Sequence, residues 1–422
     1  MERAKRRYVL FILIVLYTLN FVDRQIIGIL APPIKAELHL SDTKLGLMGG
    51  LAFALFYTFL AIPIGRAADR GNRTWIITLA VGVWSLFTAA CGFVQNFTQL
   101  FLGRMGVGIG EAGGVAPAYS LIADYFLPGE RARALAVYSF GIPLGSALGI
   151  FFGGYIAATV NWRMAFLVVG LLGLVLVPIF RASVREPERG LFDHAKRSSA
   201  MPSFGQTLRI LFGKPSFWLL AFGSASSSIL GYGLLFWLPS FFVRSFGLSL
   251  LHTSAVYGAI VLIGGMAGTW LGGWAADRLG AVNRNAYVLV PAVAFMLAAP
   301  CYALGVLMPP TTAVFLFFLI PQALGLAWLG PVLCAVQHVV APNLRATASA
   351  IFLFVNNLIG IGCGTIFFGA VSDALHKIYG DDSLRPAILI GLGFYLLAAL
   401  LFAIASRYLA RDWYSQAGRE VY

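Results

Sequence analysis

Four ionisable side chains stand inside long apolar stretches of this 422-residue sequence: Asp23 and Arg24 in one, Arg104 and Glu111 in another. A charge at the centre of a bilayer costs about 2.5–3.5 kcal/mol on insertion scales, so each needs a partner or a water-filled cavity. Arg104 and Glu111 are seven residues apart, two helical turns, which sets them on one face about 10 Å apart along the axis. Asn20, Asp23 and Arg24 form a second polar patch by i, i+3, i+4 spacing. Two acids and two bases balance, and such a set can hold or release one proton. Asp23 and Glu111 are therefore the candidate proton carriers. Arg24 and Arg104, always charged and able to fork onto phosphate, are with Asn20 the candidate clamps for an anionic head group. Fixed salt bridges that lock helix packing are the other reading of the same charges.

The elements that must position these groups are membrane spans. Hydrophobic residues make up 59% of the chain and charged ones 11%, against about 45–50% and 25% in soluble domains. A soluble enzyme, a disordered chain and a nucleic-acid-binding domain are excluded on that ground. Polar punctuation cuts the sequence into twelve candidate helices, near 8–30, 44–66, 74–94, 98–125, 132–159, 163–182, 216–243, 253–275, 286–307, 312–340, 345–371 and 386–408. The net charge of +13 is not one patch. Of the 30 Lys and Arg, 22 fall in segments on the side of the N-terminus, six on the opposite face, and Arg24 and Arg104 within spans. The positive-inside rule then gives an all-α, multi-pass protein with both termini in the cytoplasm. The apolar run from Tyr8 to Leu30 is longer than the 7–15 residues of a signal core, so no cleaved leader is expected.

The two halves repeat. Gly65-Arg-Ala-Ala-Asp69-Arg70 after span two matches Gly273-Trp-Ala-Ala-Asp277-Arg278 after span eight, and Arg131-Ala-Arg133 opening span five matches Arg345-Ala-Thr opening span eleven. Two six-helix bundles, 1–182 and 215–422, joined by a cytoplasmic linker, 183–214, are the architecture of a transporter that rocks about a midplane site. Asp69, Arg70, Arg73, Arg131, Arg133, Asp277, Arg278 and Arg345 are expected as latches between the halves on the cytoplasmic side. Within the linker, Phe204, Leu208, Leu211 and Phe212 follow the spacing of a short interfacial helix; a disordered linker is the alternative.

The second-half span interiors hold Tyr232, Trp237, Gln322, Trp328, Asn356 and Asn357 but no Asp, Glu, Lys or Arg. With Tyr17 and Tyr119 of the first half they are the cavity candidates. A charged half facing an uncharged, aromatic one suits a ligand with one ionic head and one apolar tail. Gly108–Gly113 spells G-x-G-x-x-G inside an apolar helix, where no strand precedes it, so it is no dinucleotide site. Gly106/110/114, Gly141/145/149/153 and Gly264/268/272 are small-residue seams for close helix approach. The four cysteines lie singly in apolar runs, with no metal-ligand spacing.

The motifs carry a resemblance. Gly65–Arg73 (G-R-A-A-D-R-G-N-R) and Arg104–Gly110 (R-M-G-V-G-I-G) resemble the loop and fourth-span signatures of the major facilitator superfamily. Leu19–Gln25 (L-N-F-V-D-R-Q), Leu40–Leu47 (L-S-D-T-K-L-G-L), Arg104–Gly113, Gly330–Gln337 and Arg345–Ile351 are similar to bacterial members of the spinster family. The resemblance spans nearly the whole chain. It implies a proton-coupled secondary transporter of amphipathic lipids such as lysophospholipids or sphingosine-1-phosphate, with Asp23, Arg24, Arg104 and Glu111 in coupling and head-group roles. It departs from the superfamily at span five, where Pro143 stands as G-I-P-L-G instead of in a Gly-Pro pair, so direction cannot be read there. The expected setting is a monomer in the cell's inner membrane, driven by a proton gradient, with no metal, cofactor or nucleic acid. An organic-anion (sugar-acid-like) symporter or multidrug exporter of the same superfamily is the alternative, and a membrane-embedded lipid enzyme a remote one, since no nucleophile–base pair is visible.

Overall fold

The computed structural model describes residues 3–189, 204–280, 282–341 and 344–414, and among these there are helices and no strands. Among the described residues, ten stretches are long and apolar enough to cross a bilayer, and one of them, Thr347–Asp412, runs for 66 residues. That one contains the eleventh span, Arg345–Tyr379, and the twelfth, made of Leu384–Gly391 and Gly393–Asp412. Span four is Phe97–Glu111 followed by Val115–Tyr125, interrupted at 112–114. With it the twelve expected spans are all present. The polar capping residues read from the loops set their starts. Asn72, Asn96 and Asn161 each accept a backbone N–H three residues on, at 2.9, 3.0 and 2.9 Å, opening spans three, four and six.

Packing groups the described residues into two units. The first comprises residues 3–189 with Leu234–Leu262 and Thr365–Leu384. In it span one (Arg3–Leu38) lies along span five, which is Pro128–Ser139 continued by Gly141–Thr159. The glycine seam explains the closeness: a Cβ on Gly145 or Gly149 would strike the span-one backbone at Thr18 or Val22. Gly106 and Gly110 likewise let span four meet Phe87 and Trp84 of span three, Arg73–Cys91. These contacts fix how spans one, three and four share the buried charges.

The second unit comprises residues 204–233 and the described parts of Ile263–Gly364 and 385–414. Its glycine seam on span eight (Leu250–Gly280) abuts span ten, with Gly268 and Gly272 against the backbone of Ala323 and Ala327. The interfacial segment is a helix, Phe204–Phe212, with Leu211 buried and Phe212 exposed. The basic run His194–Ser199 lies outside the described residues.

Candidate functional site

The four intramembrane charges pair crosswise between spans one and four. Arg104 Nη1 donates to Asp23 Oδ1 at 3.1 Å, and Arg24 Nε donates to Glu111 Oε2 at 2.5 Å. Adjacent residues on span one project about 100° apart, and a seven-residue step on span four returns to the same face. One helix edge can therefore reach both partners on the other. Asp23, Arg104 and Glu111 are each buried to 1% exposure or less. Removing such charges from water costs several kcal/mol per ion, which the attraction repays only with good geometry and further hydrogen bonds.

Those further bonds are unevenly supplied. Thr88 Oγ1 of span three donates to Asp23 Oδ2. The Arg24 guanidinium lies over Tyr57 at 4.4 Å, Phe53 at 4.8 Å and Phe21 at 5.0 Å, a cation–π cage. Yet Glu111 Oε1, Asn20 Oδ1 and Arg24 Nη2 are buried without a hydrogen-bond partner. A buried polar atom left so costs about 1–3 kcal/mol. Such atoms, Arg104 Nε among them, can take water, a proton or a ligand oxygen. Glu111 is also the last residue before the break in span four, so helix geometry changes at the group proposed to change charge.

Below Arg24 a tyrosine cluster continues the polar face. Tyr17 stacks on Tyr138 with centroids 4.3 Å apart, and Tyr119 meets Tyr138 edge-on at 5.6 Å. Thr88, Phe53, Tyr57 and Tyr138 carry no charge and no motif, so sequence reading passed over them; only the helix packing reveals them.

The second-half candidates divide. Gln322 Oε1 accepts from Tyr302 at 3.1 Å, Asn356 Oδ1 from Ser228 Oγ at 2.9 Å, and Asn356 Nδ2 reaches Asn357 Oδ1 at 3.4 Å. Trp328 is nearly buried against Phe352, and Tyr232 is partly exposed. Trp237, the remaining cavity candidate, lies in a packed contact. It is fully buried and its indole N–H donates to the Thr365 carbonyl at 2.8 Å, because a core indole must satisfy its one donor.

Of the expected cytoplasmic latches, Arg73, Arg131, Arg278 and Arg345 make contacts within their own unit. Arg73, 1% exposed, donates to Asp124, to Ser120 Oγ at 2.8 Å and to Glu186 Oε1 at 2.6 Å. Arg189 donates to the carbonyls of Ala68, Asp69 and Gly71, at the end of span two, whose main helix is Leu51–Arg70. Arg131 caps the Phe126 carbonyl, Arg345 the Gln337 carbonyl, and Arg278 lies over Trp274. Asp277 precedes Arg278 on span eight, and Arg133 is exposed.

A second cluster, unforeseen, sits at the far end of span one. Asp42 Oδ1 accepts from Lys35 at 2.5 Å and Arg244 at 2.8 Å, and Oδ2 from Arg244 at 2.8 Å and Ser372 at 2.7 Å. Asp373 in turn accepts from the Asp42 and Thr43 amides at 3.0 and 2.8 Å and from Thr43 Oγ1 at 2.6 Å. Asp42 belongs to the L-S-D-T-K-L-G-L motif, and Lys35 and Arg244 are among the six basic residues left over by the charge asymmetry. That surplus was the available signal.

Twelve apolar helices with matched halves and a buried ion-pair site define a polytopic membrane transporter, not an enzyme. The chain matches the Major Facilitator Superfamily over residues 13–362, and belongs to it, on the spinster-like branch. It is 33% identical over 401 residues to an MFS-type efflux pump of Mycolicibacterium smegmatis, covering 95% of this chain and 92% of that one. It is 31% identical over 423 residues to protein spinster homolog 1 of Xenopus tropicalis, covering 93% and 80%. A solved bacterial homologue of the human lysosomal transporter Spinster, inward-facing and unoccupied, superposes with TM-score 0.89 at 31% identity, over 99% of this chain and all of that one.

Proposed function

We propose that the chain is a proton-coupled secondary transporter of an anionic amphipathic lipid, of lysophospholipid or sphingosine-1-phosphate type, acting as a monomer in the cell's inner membrane without a cofactor. The observation that carries this reading is the crossed pair Asp23–Arg104 and Arg24–Glu111 with its unpartnered buried oxygens. Protonation of Glu111 discharges its bond to Arg24. The guanidinium, held among Phe21, Phe53 and Tyr57, is then available to fork onto a phosphate oxygen. Loss of the proton returns Arg24 to Glu111 and expels the head group. Asp23, held by Arg104 and Thr88, sets the resting charge of the pair beside it. A ligand that binds one protonation state better than the other shifts the two-state equilibrium by that difference, which is the coupling.

Uptake of lysophosphatidylglycerol into proteoliposomes, with and without an imposed pH gradient, tests this. Wild type responds to the gradient, and Asp23→Asn and Glu111→Gln do not. A response retained in both variants removes the assignment. Export of drugs or organic anions is the second reading, favoured by the efflux-pump relative; gradient-driven movement of a tailless anion with no lysolipid movement would select it.

A further inference from the structure

A cavity of about 530 Å³ opens where the first turns of spans one and five meet. Its polar wall is Arg6, Arg7, Arg133 and Glu130, and its apolar wall Leu10, Phe126, Ala134 and Val137. Arg6 Nη1 and Glu130 Oε2 pair at 3.3 Å, which leaves the wall two positive charges in excess. Leu10, Ala134 and Val137 lie in the early turns of spans one and five, Phe126 caps the end of span four, and Arg7 and Arg133 are both exposed. A pocket that is cationic on its aqueous side and apolar on its membrane side fits a phosphate ester carrying a hydrocarbon tail. A free anion gains nothing from the apolar wall, and a zwitterionic head brings no net charge to match the positive excess.

Its position on the helix adds a role. Leu10, Tyr17 and Arg24 recur every seven residues and so share one face of span one. Tyr17 stacks on Tyr138, the residue after Val137 of the pocket wall. The cavity and the Arg24 cage are thus two cationic stations along span one, about 26 Å apart from Arg7 to Arg24 at 1.5 Å per residue, joined by tyrosines. We infer that this pocket is a second head-group site, a loading station for the phosphate of an anionic amphiphile at the membrane boundary. The binding site stands on its own residues; the loading role rests on the reading of Arg24 above.

Native mass spectrometry of the full chain in neutral detergent tests both parts, with lysophosphatidylglycerol as probe. Lysophosphatidylcholine and inorganic phosphate are the comparison ligands. Wild type holds two lysophosphatidylglycerol molecules. Arg7→Gln with Arg133→Gln weakens one of them by on the order of tenfold or more, Glu130→Gln tightens the same one, and Arg24→Gln removes only the other. Equal binding by the double variant and wild type overturns the site. Equal retention of lysophosphatidylcholine, or inorganic phosphate bound as tightly as the lysolipid, overturns the ligand class. If Arg24→Gln still transports while the double variant loses its ligand, the pocket stands and the loading role falls.

Discussion

Asp23 and Asp42 are both buried aspartates that meet arginine, yet their surroundings finish them differently. Asp42 receives four hydrogen bonds, from Lys35, Ser372 and both Nη atoms of Arg244, and its neighbour Asp373 receives three more from the Asp42–Thr43 segment. Every lone pair that burial would penalise has a donor. The cluster around Asp23 and Glu111 has one bond per ion pair, one threonine, and four polar atoms left over, Asn20 Oδ1, Arg24 Nη2, Arg104 Nε and Glu111 Oε1. A saturated carboxylate resists protonation and holds helices; an unsaturated one beside a movable guanidinium has somewhere to go. Hydrogen-bond saturation, more than burial or charge count, separates a clasp from a site that can change state.

The sharpest way to break this comparison is to neutralise one acid in each cluster. Asp23→Asn and Glu111→Gln bring gradient-driven lysolipid uptake to background while the thermal midpoint in detergent stays within a few degrees of wild type. Asp42→Asn does the reverse. It leaves Arg244 and Lys35 facing a neutral amide and costs about 2–4 kcal/mol of stability, read as a lowered midpoint, while the remaining uptake still answers to the pH gradient. If Asp42→Asn instead abolishes the pH response at unchanged stability, the saturated cluster is also a coupling site and the distinction fails.

How much of this was legible in the sequence follows from the same physics. Charges inside apolar runs are so costly that Asp23, Arg24, Arg104 and Glu111 announce themselves, and the twelve spans follow from run lengths and the Lys/Arg asymmetry. Partner identity is a different matter. That Arg24 meets Glu111 while Asp23 meets Arg104 depends on the rotation of spans one and four against glycine faces, which one-dimensional spacing does not contain. Phe53, Tyr57, Thr88 and Tyr138 are ordinary residues for a span and become notable only through their neighbours. Asp42 and Arg244 sit 202 residues apart at span ends, where charges cost little, so the surplus of basic residues there hinted at a cluster but not at which acid it would meet. The basic repeat around Arg73 and Arg345 was visible, but its partners were not, since Asp124 and Glu186 lie outside the repeated motif.

Trp237 gives a milder test at a saturated position. Its N–H satisfies the Thr365 carbonyl inside a fully packed contact. Trp237→Phe keeps most of the apolar volume but removes the indole donor, while the Thr365 carbonyl keeps its helical one, so the loss is about 0.5–1.5 kcal/mol. A cavity-wall tryptophan would behave otherwise, with stability unchanged and lysolipid affinity reduced. Measuring both quantities on one variant decides between packing and binding.

The smallest expected effect lies where saturation is provided from outside the helix it serves. The last carbonyls of a helix lack intrahelical partners and carry partial negative charge. At the end of span two, Arg189 supplies the missing donors, bonding the carbonyls of Ala68, Asp69 and Gly71 from 118 to 121 residues away in the chain. Because the guanidinium is exposed, water can replace it at little cost. Arg189→Gln should lower stability by about 0.3–1 kcal/mol, and the deficit should shrink as salt is raised. It should leave the response to a pH gradient intact, since span two meets the charge cluster through Phe53 and Tyr57, far from its capped end. A loss of coupling in this variant would mean that the position of span two's end, and with it the Asp69-Arg70 pair, is transmitted to the Arg24 cage. The repeated Asp-Arg motif would then carry the gating role expected of it.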